Sequence, residues 1–134
     1  MLVLRFLQRT YEGIKRRPEI LGQIRIEDRV ERFVFGLNRQ TFEYAPSLSR
    51  HASVLSSLVD KNHGVFSRTP EGYTYESTSQ KGTWLRTKVS FWRISFGERE
   101  GLLQRNDPMQ IKVGDKLIFK GGAVELVIEV ADIR

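Results

Sequence analysis

The sequence predicts an all-β domain, a sandwich or a barrel, on three observations. Short runs rich in β-branched and aromatic residues recur at near-regular spacing from Ile20 onward. Two connections carry hairpin chemistry, Pro70-Glu71-Gly72 and Gly121-Gly122. A chain of 134 residues that is 40% apolar and 28% charged can bury one respectable core, and its composition is that of a globular protein rather than a disordered one.

Taken in order, the chain opens on a segment with two readings. Leu4, Leu7, Tyr11 and Ile14 recur at spacings of three and four, the apolar face of a short amphipathic helix, with Arg5, Arg9, Lys15 and Arg16 mostly off that face and Pro18 to stop it near Arg17. The run "LVLRF" fits an edge strand as well. Residues 1–19 are therefore set apart as a basic amphipathic helix or extension, and residues 20–134 as the domain. "GQIRIED" alternates Ile24 and Ile26 with polar neighbours, and "RFVFGL" repeats the strand bias. "ASVLSSLVD" reads as a further strand carrying Val54 and Leu58, and "DKNHG" as a turn cluster. "GVFSRTPEGYTYES" is a hairpin, and "TWLRTKVSFWRISF" holds one or two strands. "GEREGLLQRNDP" reads as a polar connection with room for one helical turn, and "KLIFKGGAVELVIEVAD" as a closing pair of strands. There is no internal repeat and no low-complexity tract.

Charge and composition narrow the function. The net charge is +6, but the first 17 residues carry +4 of it through Arg5, Arg9, Lys15, Arg16 and Arg17 against Glu12. The near-balanced remainder argues against nucleic acid as the partner, and leaves the N-terminal segment for self-docking, a protein contact or a peripheral contact with an acidic membrane. No apolar run reaches the ~18 residues of a membrane span, and Arg5 interrupts the opening stretch too early for a signal peptide. With no cysteine there is no disulfide framework or thiolate metal site, which fits a cytoplasmic location. His51 and His63 lack metal-ligand spacing, "FKGGAVE" lacks a P-loop ending, and Ser49 beside His51 is adjacency rather than a catalytic triad. No enzyme activity, metal or cofactor is expected.

What remains is anion recognition by loops. A phosphate is best held by a guanidinium or ammonium, a hydroxyl and exposed backbone N–H groups. Three segments offer these groups: "GLNRQ" with Arg39, "SLSRH" with Ser47, Ser49 and Arg50, and "STSQKGT" with Ser79, Gln80 and Lys81. Brought to one end of a sandwich, they would make a small cationic pocket.

The order of these segments resembles the forkhead-associated domain, whose pattern runs Gly-Arg, then Ser-Arg-x-His-Ala, then an acidic residue with Ser-x-Asn-Gly-Thr, then Leu-x-x-Gly-Asp. "FVFGLNR" (Phe33 to Arg39), "LSRHASV" (Leu48 to Val54), "ESTSQKGTWL" (Glu76 to Leu85) and "IKVGDKLIF" (Ile111 to Phe119) follow in that order. Lys81 stands where asparagine is usual, and offers donors only. The resemblance implies a β-sandwich of about ten or eleven short strands that binds a threonine-phosphorylated protein or peptide as a signalling adaptor downstream of a Ser/Thr kinase. It implies that Arg39 and Ser49 hold the phosphate with Gln80 and Lys81 assisting and Arg50 in reserve. Ser47, His51, Ser79, Gly82 and Thr83 would shape the loops. The alternative is a degenerate domain of this kind that binds a protein partner without phosphate. Either would act as a monomer or a weak dimer.

Overall fold

The computed structural model describes residues 1–10, 18–91 and 94–134, with side chains outside 89–96. Its strands are β1 (Leu2–Thr10), β2 (Glu19–Ile26), β3 (Arg32–Phe35), β4 (Gly64–Thr69), β5 (Gly72–Ser77), β6 (Trp84–Phe91), β7 (Ile94–Leu102), β8 (Met109–Ile111), β9 (Lys116–Gly121) and β10 (Val124–Ile133). They form a six-stranded sheet in the order β2-β1-β10-β9-β6-β7 and a four-stranded sheet in the order β3-β4-β5-β8, with every pairing antiparallel. The all-β expectation is met, and both expected hairpins form, β4–β5 through Pro70-Glu71 and β9–β10 through Gly122-Ala123, one residue later than the Gly121-Gly122 reading because Gly121 ends β9 paired with Val124.

The two sheets pack face to face because alternate residues on each present one apolar side. Leu4 and Phe6 of β1, Ile24 of β2, Phe119 of β9 and Ile128 of β10 meet Phe33 and Phe35 of β3, Phe66 of β4 and Tyr75 of β5 in one buried cluster. Phe35 sits between the sheets, with ring centroids 5.8 Å from Phe6 and 5.4 Å from Phe119. These offset aromatic contacts fix how the end of β3 stands over the larger sheet.

Three expectations are corrected. The N-terminal segment is neither a helix nor an edge strand: β1 lies inside the larger sheet, between β2 and β10. Leu2, Leu4 and Phe6 are buried while Arg5 is exposed, and sheet pairing on both sides outweighs the helical spacing of Leu4 and Leu7. Tyr11, Ile14, Lys15, Arg16 and Arg17, the rest of that helical reading, lie outside the described residues. Residues 2–10 therefore belong to the domain rather than to an extension of it. Second, "ASVLSSLVD" is helical at its start and strand nowhere: Ala52–Leu55 form a short helix, α2. Leu55 and Leu58, three apart, bury one face of this segment, and Val54 points outward. Third, "GEREGL" continues strand β7 instead of forming a connection, held by pairs such as Arg86 with Glu100 and Lys88 with Glu98 across from β6.

Between β3 and β4 the chain makes no strand. It forms a short helix α1 (Arg39–Tyr44), a 3-10 turn (Pro46–His51) and α2. Asn38 caps α1 by accepting the Thr41 N–H at 2.9 Å. The same first turn closes the free edge of β3: Gln40 Oε1 accepts the Val34 N–H, Thr41 Oγ1 accepts the Gly36 N–H, both at 3.2 Å, and Asn38 Nδ2 donates to the Val34 carbonyl at 3.2 Å. Side chains thus take the bonds that another strand would make. Thr41 is buried, so Thr41→Val keeps the shape but leaves the Gly36 N–H without its partner. The expected loss is about 1–3 kcal/mol, read as a lower urea midpoint at unchanged slope.

Candidate functional site

Three connections converge at one end of the sandwich: residues 36–38 after β3, 56–63 before β4 and 78–83 between β5 and β6. Two backbone bonds and one from a side chain tie the first two together. Leu37 N–H donates to the Asp60 carbonyl at 3.0 Å, His63 N–H to the Phe35 carbonyl at 2.8 Å, and Asn38 Nδ2 to the Lys61 carbonyl at 2.9 Å. The third joins through Thr78 N–H, which donates to the His63 carbonyl at 2.9 Å.

His63 is the hub. Its ring is fully buried, edge-on to Phe119 with centroids 4.8 Å apart. Nδ1 accepts the Asp60 N–H at 3.0 Å, so the ring proton is on Nε2, which donates to the Gly82 carbonyl at 2.8 Å. Burial pushes the imidazole below its ordinary value, outweighing the Gly82 carbonyl and the Asp60 charge, which favour the charged ring. A neutral, single-tautomer histidine therefore bridges two loops. Gly82 turns the chain beneath it with φ +79°, a backbone conformation that an L side chain rarely adopts.

The polar centre of this end is Asp60. Its carboxylate accepts a bond from the Ser79 hydroxyl and pairs with Lys81 Nζ at 3.2 Å. The bond from Ser79, with help from Lys81, holds the carboxyl below the usual carboxylate range. Lys81 also donates to the Ser56 carbonyl at 3.0 Å, and its own N–H donates to Ser79 Oγ at 3.1 Å. Behind this layer Tyr75 shares a hydrogen bond of 2.9 Å with Thr83 Oγ1, and Thr83 donates to Ser77 at 3.4 Å. Burial pushes the Tyr75 hydroxyl well above its ordinary value, so it stays protonated.

The residues predicted from sequence divide into two groups. Ser79, Gln80, Lys81, Gly82 and Thr83 all lie in the β5–β6 connection, where Gln80 is exposed and the other four shape or fill the loop. The others sit on the helical segment before β4. Arg39 begins α1, is 92% exposed and pairs with Glu43 at 2.8 Å. Ser47 donates to the Leu21 carbonyl at 2.8 Å and anchors the segment to β2. Ser49 donates to the Pro46 carbonyl of its own turn at 2.7 Å, Arg50 is exposed, and His51 ends the 3-10 turn half-buried. Arg39, Ser49 and Lys81 thus each take a different partner. Asp60 and His63, inside the run read as a turn, are the residues that hold the loop end together.

No group of three or more His, Asp or Glu residues that could hold a metal ion occurs among the described residues, and none of their helices is long and apolar enough to cross a membrane. No protein-family model, curated protein or solved structure matches the chain.

Proposed function

We propose that this chain is a protein-binding module of the forkhead-associated kind that engages its partner without reading phosphothreonine. The observation that carries the reading is the Asp60 carboxylate at the centre of the loop end, already paired with Lys81 and bonded by Ser79. A phosphate brought there would meet a negative charge, and would have to compete for an ammonium and a hydroxyl that are already engaged. The sequence supports the same reading once His63 replaces His51 as the reference. Asp60-Lys61-Asn62-His63-Gly64 keeps the spacing of Ser-Arg-x-His-Ala, with a carboxylate where the pattern has the serine hydroxyl. Asp60, in place of the serine, and Lys81, in place of the asparagine, here satisfy each other.

The test is a matched pair of randomised peptide libraries, one centred on phosphothreonine and one on threonine. Equal selection from both is the expected result, unchanged in Lys81→Ala. Selection from the phosphothreonine library alone, lost in Lys81→Ala, would restore the phosphate-reading adaptor and end this proposal.

A further inference from the structure

Beside the loop end, on the outer face of the smaller sheet, lies a groove of about 520 Å³. Val34 of β3 and Val65 of β4, paired in register, form its apolar floor. Arg32, Arg39 and Lys61 line it, Thr78 closes one side, and none of its lining residues is acidic. Arg32 and Lys61 have no ion-pair partner among the described residues, and Arg39 shares its charge with the exposed Glu43. Glu76, across from Val65 in the pairing of β4 with β5, borders the groove without lining it. Three cations from three elements therefore surround a shallow apolar floor, whereas Arg86 and Lys116 on the larger sheet both pair with Glu98.

The geometry points to this groove as the docking site for an acidic, unphosphorylated segment of a partner protein. Charge complementarity selects the occupant: Asp and Glu side chains can reach Arg32, Arg39 and Lys61 while small apolar residues rest on Val34 and Val65. The occupant lies across the sheet face and does not extend the sheet, because the Val34 and Gly36 edge bonds are taken by Gln40, Asn38 and Thr41. Thr78 and Lys61 belong to the connections that His63 organises, so the groove keeps its shape only while the loop end is intact. The inference rests on the protein-binding reading above, and names the partner chemistry and the surface.

The experiment titrates the full chain with two fluorescent peptides of equal length. One is built of Asp, Glu, Ser, Ala and Gly, and the other replaces its Asp and Glu with Asn and Gln. The acidic peptide is expected to bind, to weaken steeply with added salt, and to lose about tenfold or more in affinity as the amide version or against Arg32→Glu/Lys61→Glu. Arg25→Glu/Lys112→Glu, with the same change in net charge elsewhere on the surface, should bind as the parent does. Should the first double variant fail to fold, Arg32→Gln/Lys61→Gln reads the same contacts. Equal binding of both peptides, unchanged binding in the groove variants, or no binding of the acidic peptide at millimolar concentration overturns the groove while leaving the module reading standing. Binding that appears only with a phosphothreonine in the peptide, and vanishes in Lys81→Ala, overturns both.

Discussion

A Gly36→Ala protein is expected to lose about 3 kcal/mol of stability, which in a domain of this size lowers Tm by about 10 °C. A Cβ at Gly36 would stand 2.2 Å from the Lys61 carbonyl oxygen and 2.6 Å from that of Asp60. Both are backbone atoms, so no rotamer change relieves the contact. The 60–62 segment has to move by about 1 Å, and doing so breaks the Leu37–Asp60 and Asn38–Lys61 bonds that hold it. The Asp60–Lys81 pair and the Lys61 side of the groove go with it. Gly101→Ala on β7 is the matched control, because nothing lies within 4 Å of its Cβ position, and its effect should stay within about 0.5 kcal/mol. Urea midpoints of the two variants check the contrast. A Gly36→Ala midpoint equal to that of the parent would mean that the loops do not approach as closely as described.

The parts of this fold that could be read from sequence are those set by local chemistry. Gly122 turns with φ +63°, and the flanking Ile118-Phe119 and Leu126–Ile128 runs are strands in any setting. Pro70-Glu71 joins β4 to β5 for a similar reason. What could not be read depends on distant partners. Leu2 to Leu7 satisfies a helical and an extended period equally, and only the pairing with β2 and β10 decides between them. The helical turns from Arg39 to Leu55 were not read: Leu48 and Leu55, seven apart, bury one side, but the serines between them suit strands and turns as well. The candidate site shows the same division. Ser79, Lys81, Gly82 and Thr83 stood out because hydroxyls, a cation and a glycine were crowded together. The choice between His51 and His63 was not local. His63 is followed directly by the β4–β5 hairpin, which was the available signal, but its role comes from Phe119 and Gly82, far away in the chain. Asp60 was hidden for a simpler reason: a carboxylate in a turn is ordinary until its two partners are seen.

The larger stability effect belongs to His63. His63→Ala is expected to cost about 4 kcal/mol, the sum of a buried ring lost from beside Phe119 and two polar groups, the Asp60 N–H and the Gly82 carbonyl, left without partners. That is a large part of the ~5–15 kcal/mol that holds a typical domain together. The histidine also writes a pH signature that truncation alone does not. Its folded value is pushed below the ordinary 6.5 by burial, so only about one pH unit or more above 6.5 is the ring neutral in both states and without pH dependence. As pH falls through 6.5 the unfolded chain takes up a proton that the folded chain refuses, because charging the buried ring would cost its desolvation, and Nδ1 is in any case occupied by the Asp60 N–H. Stability therefore falls with falling pH, by at most about 1.4 kcal/mol per pH unit, until the folded value is reached. Asp60 and Glu98 are depressed from ordinary values of 3.8 and 4.5, so their stabilising contributions are lost only at lower pH, outside most of this window. Urea midpoints measured between about pH 7 and pH 5 should decline in the parent and stay nearly flat in His63→Gln, which keeps a polar side chain but cannot titrate there. Parallel declines in the two proteins would place the titrating group elsewhere, and would remove His63 from the centre of the loop end.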